Sequence, residues 1–162
     1  RKAMKDVKIG IAGLFAVIFV LLVSLFAIET VCATTFNCDF CAFYTFASVF
    51  IIAEVSAKLS MNTCMIVGKR FEGVDGMGTL FIRSSTWSGY VVALLSSAFI
   101  ALICTIFTDP FRFFIVFTGI VVAFFVVWIA KKKFGAVSGD VMGASNELAR
   151  CVTLLILAIL LS

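Results

Sequence analysis

Long apolar runs alternate with short polar ones along this 162-residue chain. Residues 10–29, 40–58, 89–107 and 113–130 are each apolar over about the 17 to 25 residues that a membrane-spanning helix needs. The last run, residues 152–162, gives only about 16 Å of helix, too short to cross. Its helix is therefore expected to start near Ser138 or Gly139, with polar first turns and an apolar tail. The Asp109-Pro110 turn separates the third and fourth spans, because proline cannot continue a helix. The pattern predicts an all-α, polytopic transmembrane bundle of about five membrane helices, forming one integral membrane domain over residues 1–162.

Composition agrees. The chain is 63% hydrophobic and 14% charged, with one proline and no histidine. Soluble domains run nearer half apolar and about a quarter charged. Without a soluble basic face, nucleic-acid binding is excluded. Without histidine there is no Ser-His or Cys-His catalysis and no usual zinc set. The six cysteines read as small apolar packing residues. The single Cys38–Cys41 CxxC is the weak metal or redox alternative, and a bridge from Cys32 to Cys38 or Cys41 on the outer face is another.

Charge placement gives an orientation. Arg1, Lys2, Lys5 and Lys8 precede the first span. Lys58, Lys69, Arg70 and Arg83 lie between the second and third, and Lys131, Lys132, Lys133 and Arg150 between the fourth and fifth. The opposite connections hold only Arg112. Twelve of the thirteen basic residues thus fall on one side, which the positive-inside rule makes cytoplasmic. Three polar segments, residues 1–9, 59–88 and 131–150, share that face.

Each segment carries candidate chemistry. In the first, Asp6 exceeds what a topology signal needs. In the second, residues 68–78 combine four glycines with Lys69, Arg70, Glu72 and Asp75, a set able to hold a phosphate. A flexible turn is the plainer reading, and no P-loop pattern is present. In the third, a helix from Gly139 puts Asp140, Gly143 and Glu147 on one face, where carboxylates could bind Mg²⁺. A helix N-terminus with acids suiting its dipole explains Asp140 but not Glu147. Glu54 and Lys58, spaced i, i+4 at the expected end of the second span, form either a structural pair or part of a site.

These segments resemble the cobalamin synthase (adenosylcobinamide-GDP ribazoletransferase) family. Met4–Gly10 with Gly13 is similar to the family's MKDSRIG…G. Glu72 and Gly76-Met77-Gly78 through Phe81 are similar to its EG(L/M)G…F. Gly135, Gly139, Asp140, Gly143, Ala144 and Glu147 match its GGxTGDxLGAxxE. The resemblance covers essentially the whole chain, with order and intervening spans agreeing. Val7 stands where the family usually has Ser, Ser138 where it often has Thr, and Val74-Asp75 reads as an insertion. The family's acidic DGLADTADG-type motif lies before the MKD segment, so the chain is expected to be a C-terminal fragment lacking some metal-binding carboxylates.

The resemblance implies a Mg²⁺-dependent membrane enzyme joining adenosylcobinamide-GDP to α-ribazole, or its 5′-phosphate, with release of GMP. On that reading Asp140, Glu147 and Asp6 are catalytic candidates, with Asp140 and Glu147 as metal ligands. Lys8, Lys69, Arg70, Gly76, Gly78 and Gly139 are the phosphate-binding candidates. Two rivals are a CDP-alcohol phosphotransferase, whose signature is missing, and a small transporter or channel subunit. The latter would place ionisable groups near mid-membrane, whereas the span centres read as nearly charge-free.

Overall fold

The computed structural model describes residues 11–35, 40–71 and 77–162. They form seven helices: α1 (Ile11–Thr35), α2 (Phe40–Gly68), α3 (Met77–Ser84), α4 (Trp87–Thr105), α5 (Arg112–Ile115), α6 (Thr118–Phe134) and α7 (Gly139–Leu161). A 3₁₀ turn, Lys69–Phe71, follows α2, and no strand occurs among the described residues. Five stretches are long and apolar enough to cross a membrane: Gly13–Thr35, Cys41–Phe71, Trp87–Thr105, Arg112–Phe134 and Gly139–Leu161. The protein is an all-α, multi-pass membrane bundle, as the hydrophobic pattern predicts.

Three elements outrun their predicted ends, α6 by the turn from Lys131 to Phe134 and the other two by more. α1 continues past Glu29 to Thr35, where the Thr30, Thr34 and Thr35 hydroxyls donate to carbonyls one turn back. α2 continues past Lys58 to Gly68. The polar residues there do not end it, because each buried hydroxyl has a partner. Ser60 bonds Ser145 on α7, and Thr63 bonds the Leu59 carbonyl and the Tyr90 hydroxyl on α4. Residues 59–68 are therefore helix, not loop.

α7 begins at Gly139 with Ser138 as its extended N-cap, as expected. The turn before it is set by Gly135, whose φ of 71° ends α6 in a left-handed cap. Gly135 N–H returns to the Ala130 and Lys131 carbonyls. Lys131, Lys132 and Lys133 occupy the last turn of α6, where cations suit the negative end of the helix dipole.

α2 is the axis of the bundle, with α7, α6 and α4 packed around it and α1 leaning on α7. The first half of α1 is apolar all round and exposed, as a lipid-facing surface is. Two apolar clusters fill the interior. One gathers Val31, Ile52, Ala53, Val116 and Leu157; the other, Cys64, Ile82, Ala123, Val127 and Met142. Between them lies a hydroxyl chain. Thr153 Oγ1 donates to Ser56 Oγ (2.9 Å), which pairs with Thr118 Oγ1 (3.2 Å), and Thr118 donates to the Ile115 carbonyl (2.7 Å). Beside it Gly119 permits contact between α6 and α2: a Cβ there would stand 2.1 Å from the Ser56 carbonyl oxygen. Small residues allow such approaches where lipid supplies no hydrophobic drive.

Arg112, the basic residue of the opposite connection, is buried and pairs with Asp109 at 3.8 Å. Cys32 and Cys41 are free thiols; Cys38 lies outside the described residues.

Candidate active site

The second and third polar segments meet at the basic end of the bundle. Gly78 opens α3 directly against Gly139, and a Cβ on Gly78 would stand 2.5 Å from the Gly139 nitrogen. Gly68 faces Val137 in the same way, with a 3.0 Å approach. Val137 N–H donates to the Phe71 carbonyl (3.2 Å), and Lys131 Nζ sits 4.7 Å over the Phe71 ring. Gly78 and Gly139 thus join α3 to α7. Asp6, Lys8, Glu72, Asp75 and Gly76 lie outside the described residues.

Lys69 has a structural task. Its Nζ donates to the Arg83 and Ser85 carbonyls (3.3 and 2.9 Å), closing the C-terminus of α3. Arg70 beside it is exposed and makes no side-chain bond among the described residues. Its guanidinium is therefore open to a ligand.

On α7 the predicted shared face exists. Asp140, Gly143, Ala144 and Glu147 are all exposed. Among the described residues Asp140 has no side-chain partner, and a methyl group at Gly143 would meet nothing within 4 Å. The acids differ in state. Glu147 is clamped: Arg150 Nη1 and Asn146 Nδ2 (3.0 Å) each donate to one of its carboxylate oxygens. Seven residues of helix separate the two acids by about 10.5 Å of rise. No group of three acids, cysteines or histidines is close enough to hold a metal among the described residues.

The clamp continues onto α2. Arg150 Nη2 donates to Glu54 Oε2 (3.1 Å), and Nε lies against the other oxygen. Lys58 Nζ donates to Asn146 Oδ1 (3.2 Å). The adjacent pair read from the sequence is therefore replaced by two contacts across helices: Glu54 with Arg150, and Lys58 with Asn146. Neighbours on one helix lose to partners on another because α2 and α7 face each other along their length. Glu54 is the central residue of α2 and Arg150 the central residue of α7. Lys58 and Arg150 are thus not loop charges, and the span centres are not charge-free. The spacing Glu147–Arg150, i and i+3, was visible in the sequence. The sequence counts Arg150 only as a basic flank of the fifth span, because no local spacing ties it to Glu54.

A groove runs between α2 and α4 on the other side of Lys58. One part, about 270 Å³, is lined by Glu54, Lys58, Asn62, Ser96 and Ser97 among others. The other part, about 260 Å³, is lined by Asn62, Ser85, Thr86 and Tyr90 among others and opens at the basic end.

A multi-pass helical bundle with paired charges at mid-helix and an acidic, glycine-bearing face at one end defines a membrane-embedded polar site. Residues 1–158 match the Cobalamin-5-phosphate synthase family, and the chain belongs to it. It is similar to proteins named adenosylcobinamide-GDP ribazoletransferase. That of Methanococcoides burtonii is 29% identical over 97% of this chain and 56% of its own length. That of Pyrococcus furiosus is 32% identical, over 98% and 61%, and that of Methanosarcina barkeri 32%, over 99% and 58%. The chain therefore spans somewhat more than half the length of these relatives. No solved structure matches.

Proposed function

We propose that the full-length protein transfers the cobinamide-bearing phosphoryl group of adenosylcobinamide-GDP to a hydroxyl of α-ribazole, or of its 5′-phosphate, releasing GMP. The observation that carries this is the polar face running from Asp140 through Gly143 to Glu147, continued by Arg150 and Glu54, in a chain of this family. The basic end, which holds Lys69, Arg70 and Lys131–Lys133, is the cytoplasmic end on the positive-inside rule. The charged centres remove the sequence argument against a transporter. Similarity to the transferases favours the enzyme.

The reaction forms a bond from the acceptor oxygen to phosphorus and breaks the bond to the GMP oxygen. The acceptor proton leaves to a carboxylate or to water. Such a transfer needs alignment and charge neutralisation more than covalent catalysis. Gly143 leaves room for a phosphate group beside Asp140, and Arg70 is the free cation nearest in sequence to the Lys69 cap. Asp140, an unpaired exposed carboxylate, suits a cation that keeps most of its waters. Glu147, held by Arg150, would contact that shell through water, and Asp6 would add to it. Mg²⁺, when bound there, would spread the charge of the transferring group.

The test is Asp140→Asn in the full-length protein, assayed in membranes for adenosylcobalamin or its phosphate. Most activity should be lost while insertion and thermal stability stay unchanged. A fully active variant would sink the assignment.

A further inference from the structure

The groove between α2 and α4 shares Glu54 with the face just described but otherwise lies apart from it, and it has the character of a ligand site. Its two cavities meet at Asn62. The Asn62 side chain is half-buried and bonds to no other group among the described residues. Its amide faces the cavities and is available to a ligand, whereas Ser60 and Thr63 on the same helix are both bonded within the bundle. Each cavity, about 270 and 260 Å³, lies just under the range of about 300–1,000 Å³ usual for small-molecule sites. Its walls are of two kinds. Val55, Ala93 and Ile100 are apolar, and Asn62, Lys58 and Glu54 are polar.

The charges indicate which ligand class fits. Glu54 is held by Arg150 and Lys58 donates to Asn146, and the linked set Glu54, Glu147, Arg150 and Lys58 carries two charges of each sign. A net neutral groove of this kind is a poor seat for a diphosphate, which needs uncompensated cations or free N–H groups. It suits a neutral, flat, largely apolar ring carrying hydroxyls. Lys58 also links the groove to the acidic face, since Asn146 accepts from it and donates to Glu147. A ligand here would lie one side-chain relay from the proposed phosphoryl site.

We propose that this groove binds the acceptor, a benzimidazole riboside, with Asn62 bonding its polar atoms and the ring lying against Ala93 and Ile100. The donor stays on the Asp140–Glu147 face. This rests on the transferase reading above and assigns one of its two substrates to a separate place.

The experiment uses the full-length protein in membranes, with the KM of each substrate measured separately. Asn62→Leu should raise the KM for α-ribazole by roughly five- to tenfold, the loss expected for one hydrogen bond to a ligand. The KM for adenosylcobinamide-GDP should move by less than about twofold on the same scale. Ser96→Phe, which enters the groove from α4, should do the same and covers the case in which Asn62→Leu fails to fold. The groove assignment stands if an active variant shows the acceptor-selective rise. It falls if neither does, or if both KM values rise together. Wild-type membranes without transferase activity would instead overturn the underlying reading. Binding of radiolabelled α-ribazole to them, lost in Ser96→Phe, would still support the groove.

Discussion

Replacing Arg150 by Gln tests whether the mid-helix charges form one coupled unit. Arg150 bonds Glu54 across the helix pair and Glu147 on its own helix. The change leaves two carboxylates without a cation at the centre of the bundle. A polar contact between membrane helices is worth about 0.6 kcal/mol on average, and an unpaired acid at a helix centre costs about 2.5–3.5 kcal/mol. Both acids are about half exposed, at 50% and 53%, so the upper figure does not apply twice. We expect a loss of about 2–3 kcal/mol for Arg150→Gln. Glu54→Gln should cost about 1 kcal/mol, because Arg150 keeps Glu147. The double variant should cost less than the sum of the two, with a coupling energy of at least about 1 kcal/mol. Reversible unfolding of the full-length protein in mixed detergent-lipid bicelles measures all three. Strict additivity would refute the claim that Glu54 and Arg150 are partners in the membrane.

Further predictions use the same structure. Gly119→Ala places its Cβ against the Ser56 carbonyl and should destabilise by about 1–3 kcal/mol, seen as a lower unfolding midpoint. Gly143→Val, with open space around it, should leave that midpoint nearly unchanged yet reduce transferase activity. Lys69→Ala should expose the 69–85 region to limited proteolysis, whereas Arg70→Ala should raise the KM for adenosylcobinamide-GDP without that exposure. A membrane-impermeant maleimide should label Cys41 and an introduced Ser84→Cys from opposite sides, in variants otherwise free of cysteine. Labelling from one side would overturn the topology.

The sequence revealed the spans and the start of α7 because runs of lipid-compatible residues and the Gly135–Ser138 break are local signals. It revealed the shared face of Asp140, Gly143 and Glu147 because helical spacing is also local. It could not reveal that residues 59–68 stay helical, since Ser60 and Thr63 look like loop residues until Ser145 and Tyr90 are known to receive them. The same limit hid Glu54–Arg150 behind Glu54–Lys58. The nearer residue wins on paper, and tertiary packing chooses the farther one. Lys69 shows the limit for function: a lysine in a glycine-rich segment suggests phosphate, while its actual acceptors are the carbonyls that end α3.

The hydroxyl chain from Thr153 through Ser56 to Thr118 has a consequence for assembly. Its three hydroxyls close on one another, since Thr118 Oγ1 also lies 2.8 Å from Thr153 Oγ1, and Thr118 reaches the Ile115 carbonyl. It also takes one hydroxyl from each of α2, α7 and α6 at a single level, with apolar packing on either side. If one helix slid by a turn, about 5.4 Å, its hydroxyl would enter an apolar layer and leave its neighbours unpaired. Lipid-facing surfaces distinguish poorly between such registers. The chain therefore acts as an index mark that three greasy rods can read as they come together.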